Sequence, residues 1–100
     1  MRNIKLKIEY DGTDFCGWQI QVDDRTVQAE IERSLTTLTG SPVRVAGAGR
    51  TDSGVHAFAQ VASFKTESKL PVDVFVRGGN SRLPLDVRIV SAEEVGEDFM

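Results

Sequence analysis

Residues 2–10 alternate without a break: Ile4, Leu6, Ile8 and Tyr10 point one way, Lys5, Lys7 and Glu9 the other. A period of two with one apolar side predicts a half-buried strand. Asp11-Gly12 is a turn signal that ends it. Residues 12–25 then form a polar loop with Phe15, Trp18 and Ile20 embedded in it. The period changes to helical at Val27, Ile31, Leu35 and Leu38, with Thr26 placed as N-cap and Gly40 as the stop. Ala29 occupies the position where a capping box would carry Glu or Gln. After Ser41-Pro42 a second strand is expected from Val43 to about Ala48, and a third from Gln60 to Thr66.

Residues 71–83 carry two patterns at once. Val72, Val74 and Val76 alternate like a strand, whereas Pro71 at a first turn and Val72, Phe75, Val76 and Gly79 on one face suit a helix. Gly78-Gly79 weakens a helix by roughly 1 kcal/mol per glycine. A short helix is the expectation. Leu85 to Val90 reads as the last strand, with Val87 and Ile89 opposite Arg88 and Val90. The order β-α-β-β-α-β describes an α+β, ferredoxin-like (split β-α-β) arrangement. In it two helices cover one face of an antiparallel sheet and leave the other free to bind.

One hundred residues make one small domain, expected to span 1–100. No apolar run is long enough to cross a bilayer and no signal peptide is read at the start. Cys16 is the only cysteine, which fits a reducing, cytosolic setting, and with a single histidine it makes a structural zinc site improbable. Net charge is −3, but Glu93, Glu94, Glu97 and Asp98 supply four of the 15 acids. The remaining 11 acids face 12 bases, so residues 1–92 are about neutral and carry no basic patch by count alone.

The candidate chemistry lies in Gly47-Ala48-Gly49-Arg50-Thr51-Asp52-Ser53-Gly54-Val55-His56-Ala57. Arg50 and Asp52 stand two positions apart and project to one side if the chain is extended. A tight turn in which the aspartate bonds its own backbone is the plainer alternative. The glycine spacing fits neither phosphate-binding fingerprint, and Asp52 would repel a phosphate. Asp52-Ser53-Gly54 also has the look of an aspartic protease. That chemistry needs two carboxylates sharing a proton, however, and Arg50 favours the ionised form. An ionised Asp52, acting as nucleophile or base, is the enzymatic option left.

The segment Gly49 to Ala57 resembles the signature of the TruA family of tRNA pseudouridine synthases, Gly-Arg-Thr-Asp-x-Gly-Val-His-Ala. Further marks follow the family's order: Tyr10-Asp11-Gly12-Thr13 and Phe15, Gly17-Trp18-Gln19 and Gln21, Thr26-Val27-Gln28, and later Asn80, Leu83-Pro84 and Asp86-Val87. The resemblance covers residues 4–99.

It implies one half of the pseudouridine synthase fold, and isomerisation of uridine to pseudouridine in the anticodon stem-loop of tRNA without metal or cofactor. It implies Asp52 as the catalytic nucleophile, attacking either ribose C1′ or uracil C6. Arg50 would hold the flipped nucleotide, and Gly49, Thr51 and Gly54 would shape the loop. His56 could contact RNA or brace the loop, Trp18 could stack on a base or anchor the loop, and Gln19, Gln21 and Gln28 could bond RNA or backbone. Lys5 and Lys7 could meet phosphate or remain solvated charges.

Family members are longer. They continue with Phe-His-Ala-Arg, where this chain has Phe99-Met100, and then with a second α+β half that supplies a stacking tyrosine and a basic partner for the aspartate. Tyr10, the only tyrosine here, faces the core. The expectations are therefore an N-terminal half with little activity alone, and a cytoplasmic homodimer in the full-length protein. A non-catalytic RNA-binding module on the same sheet is the alternative function.

Overall fold

The computed structural model describes residues 1–11, 26–47 and 57–99. Strands β1 (Arg2–Tyr10), β2 (Val45–Gly47), β3 (Ala57–Thr66) and β4 (Val87–Val95) and helices α1 (Val27–Thr39) and α2 (Val72–Asn80) follow in the order β1-α1-β2-β3-α2-β4. The strands form one antiparallel sheet ordered β2-β3-β1-β4. This is the α+β, split β-α-β arrangement that the alternating periods predict.

One face of the sheet carries the core. Ile4, Leu6, Ile8 and Tyr10 of β1 and Ala62 and Phe64 of β3 are buried against Val27, Ile31 and Leu35 of α1 and Phe75 of α2. Phe64 and Phe75 meet edge to face, with ring centroids 5.4 Å apart and planes at 79°. Thr26 caps α1 through its Oγ1, which accepts the Ala29 N–H at 3.4 Å. Gly40 closes α1 in the left-handed region at φ 78°, its N–H donating to the Thr36 carbonyl at 2.9 Å.

The ambiguous segment is helical because its glycines are contact points. A Cβ on Gly79 would lie 2.7 Å from Cδ1 of the fully buried Ile89, and one on Gly78 would lie 2.6 Å from Cδ1 of Leu38. The buried Ser34 hydroxyl of α1 donates to the Gly79 carbonyl at 2.7 Å. The glycines weaken the helix as an isolated segment and allow it to sit against α1 and β4.

Three expected boundaries need correction. β2 begins at Val45 and not at Val43, because the Val43 N–H donates to Thr36 Oγ1 at 3.0 Å instead of joining a ladder. β3 begins three residues before Gln60, where Ala57 pairs with Tyr10 although Ala-Phe-Ala shows no alternation. β4 spans Val87–Val95, not 85–90. The register shifts between Lys7 opposite Ser91 and Ile8 opposite Ile89, so Val90 is an extra residue that breaks the period of two. Beyond it the acids continue the strand: Glu93 pairs with Lys5 at 3.3 Å and Glu94 with Arg2 at 3.0 Å.

The second face is not wholly free. Asn3 points to it yet is only 1% exposed, covered by residues 96–99. The Phe99 ring lies 5.6 Å from the Lys5 ammonium.

Candidate active site

Asp52, Arg50, His56, Gln19, Gly49, Thr51 and Gly54 all lie outside the described residues, as do Trp18 and Gln21. The described residues show the frame from which their segments spring. Gly47, the last residue of β2, pairs with Ala62, while β3 starts five residues earlier at Ala57. The two attachment points of residues 48–56 are thus offset along β3 by about 17 Å. Ala57 lies beside Tyr10, and Tyr10 lies beside Val87 on its other side. The attachment at Ala57, the exit from β1 toward residues 12–25 and the entry to β4 therefore share one end of the sheet.

Hydrogen bonds fix that end. The Asp11 N–H donates to the Asp86 carbonyl at 2.9 Å, joining the exit of β1 to the turn before β4. The Val87 N–H donates to the Pro84 carbonyl at 3.2 Å, which closes that turn. Asn80, at the last position of α2, donates from Nδ2 to the Ile89 carbonyl at 2.9 Å and accepts the Ile89 N–H on Oδ1 at 2.7 Å. A side-chain amide here completes the outer edge of β4 as a neighbouring strand would.

β2 is held in a similar way. Gln28 donates from Nε2 to the Val45 carbonyl at 2.7 Å, and Glu32 Oε2 accepts the Val45 N–H at 2.9 Å. Two side chains one helical turn apart on α1 thus take both backbone groups of the residue two positions before the end of β2.

Several candidate binding residues therefore have scaffold contacts. Gln28, open between RNA and backbone on sequence grounds, bonds the backbone of β2. Lys5 is engaged by Glu93 and Phe99, whereas Lys7 stands exposed on the second face. Tyr10 is 5% exposed in the core, as its position in the alternation predicts. Asn3, Glu32 and Ser34 carry no sequence signal for the contacts they make. Each sits at an ordinary polar position of a strand or helix, and only tertiary contact reveals its partner. Among the described residues no three metal-ligating side chains gather in one place, and no helix is long and apolar enough to cross a membrane.

Comparison with known proteins supplies what the frame alone does not. The family model for tRNA pseudouridine synthase matches residues 7–100. Proteins named tRNA pseudouridine synthase A from Clostridium botulinum (strain Eklund 17B / Type B), Caldicellulosiruptor saccharolyticus and Geotalea daltonii are 50%, 54% and 54% identical to the chain over 99 residues. Each match takes in 99% of this chain and 41% of the relative, whose N-terminal portion is the part that corresponds. The chain spans about two-fifths of the length of these relatives, and it belongs to the tRNA pseudouridine synthase family.

Proposed function

We propose that this chain is the N-terminal, aspartate-bearing subdomain of an enzyme that isomerises uridine to pseudouridine in the anticodon stem-loop of tRNA. Asp52 is the nucleophile in this reading. The observation that carries it is the intact run Gly49 to Ala57, whose last residue opens β3, in a chain 50% and 54% identical over 99 residues to two relatives named tRNA pseudouridine synthase A.

The chemistry fits the residue types. An unperturbed aspartate has a pKa of about 3.9, and a neighbouring guanidinium favours its charged form. An ionised carboxylate can attack an electrophilic carbon of the ribose or the uracil without a cofactor. A uridine in a stem must leave the stack before its glycosidic bond can be reached. Arg50 offers a planar cation that can stack on bases and bond phosphate. Gly49, Thr51 and Gly54 shape the loop around the pair, and His56 and Gln19 are secondary RNA contacts.

The relatives' greater length supports a site completed by residues beyond this portion, so the 100-residue chain alone has little turnover in this reading. The full-length enzyme is a cytoplasmic homodimer that needs no metal. Tritium release from tRNA carrying 5-tritiated uridine tests the proposal. Release is expected from the full-length protein and not from residues 1–100. Robust release by the short chain would refute the need for the remainder, and none from the full-length protein would refute the assignment.

A further inference from the structure

A buried polar side chain that serves no ladder needs a reason. Asn3 lies in β1, between β3 and β4, opposite Lys65 on one side and Val95 on the other. Its side chain is nearly inaccessible, and both amide hydrogens are used: Nδ2 donates to the Gly96 carbonyl at 3.0 Å and to the Phe99 carbonyl at 3.1 Å. The Phe99 N–H donates to the Gly96 carbonyl at 3.1 Å, so residues 96–99 form a closed turn around the amide. The Phe99 ring packs near Lys5, and the N-terminal amine bonds Glu97 at 3.3 Å. The chain leaving β4 is thereby turned back over the second face of the sheet. It is held at the Asn3 end, about 23 Å along β1 from Tyr10.

We propose that Asn3 is a positioning residue. It clasps the chain after β4 so that, in proteins of this family that continue beyond it, the following portion sets out from a fixed point on the second face of the sheet. The relatives match this chain with their N-terminal two-fifths, so most of each relative comes after this clasp. The inference rests on the reading of the chain as the leading portion of a pseudouridine synthase. A site completed by later residues depends on how accurately they are delivered, and a displacement of about 1 Å can cost a hundredfold in rate.

The test uses the full-length protein with Asn3→Ala, with Phe99→Ala as a second variant that leaves the buried amide in place, and with Ser34→Ala as a control on the opposite face. Hydrogen exchange reads the clasp, and tritium release from tRNA reads kcat and KM. In Asn3→Ala, amides 96–99 are expected to exchange at least about tenfold faster while the β3 ladder stays protected. The same variant is expected to lose about tenfold in kcat with little change in KM for tRNA. Phe99→Ala should move both readouts in the same direction by less, and it decides the matter if Asn3→Ala does not fold. Ser34→Ala should leave kcat unchanged below its melting temperature. Unchanged exchange at 96–99 would overturn the proposal, as would a loosened turn with normal kcat or an equal loss in Ser34→Ala. If the unmodified protein releases no tritium, the enzymatic reading fails, and exchange still reports on the clasp.

Discussion

Asn80 and Ile89 exchange two hydrogen bonds, with the side-chain amide of one satisfying both backbone groups of the other. Asn80 also ends α2, and Ile89 is fully buried in β4. The pair therefore sets the spacing between helix and edge strand just beyond the turn that enters β4. Replacement by alanine leaves a backbone donor and acceptor without these partners, at about 1–3 kcal/mol. Asn80→Ala should lower the urea midpoint accordingly. Asn80→Asp keeps an acceptor for the Ile89 N–H but sets a carboxylate oxygen against the Ile89 carbonyl, so it should not rescue. A variant with unchanged stability would remove the pair from the account of the fold.

Gly78 and Gly79 should respond differently to alanine. Each substitution relieves a helix penalty of roughly 1 kcal/mol. At Gly78 the close neighbour is the end of Leu38, a partly buried side chain that can swing aside. At Gly79 it is Ile89, which is fully enclosed. Gly78→Ala is expected to be neutral or stabilising, and Gly79→Ala destabilising by about 1–2 kcal/mol as overpacking outweighs propensity. Thermal unfolding of the two variants side by side checks the order.

Gln28 and Glu32 act on one residue, Val45, so their losses should not be independent. Each alanine variant should cost about 1 kcal/mol, and the double variant should depart from the sum by roughly 0.5 kcal/mol or more. Strict additivity in a double-mutant cycle would show that they do not work as a unit.

The alternation in β1, the spacing in α1 and the caps Thr26 and Gly40 were legible in the sequence because each is a local rule. The end of β4 was not. Val90 interrupts the period, and Glu93 and Glu94 have low strand propensity until Lys5 and Arg2, some 90 positions away, face them. The double glycine argued against α2 for a local reason that tertiary packing overrides. Of the candidate site, the run Gly49 to Ala57 was legible as a motif. The contacts of Gln28 and Asn80 required the fold, since a polar residue on a helix does not announce which backbone it will meet.

The proposed role of Asp52 as nucleophile is tested most directly by Asp52→Asn in the full-length protein, assayed by tritium release from tRNA containing 5-tritiated uridine, with tRNA binding measured in parallel. Asparagine keeps the size of the side chain and removes the carboxylate proposed as the nucleophile. Release is expected to fall by at least about a thousandfold, with binding close to normal. Turnover near that of the unmodified enzyme would contradict that role.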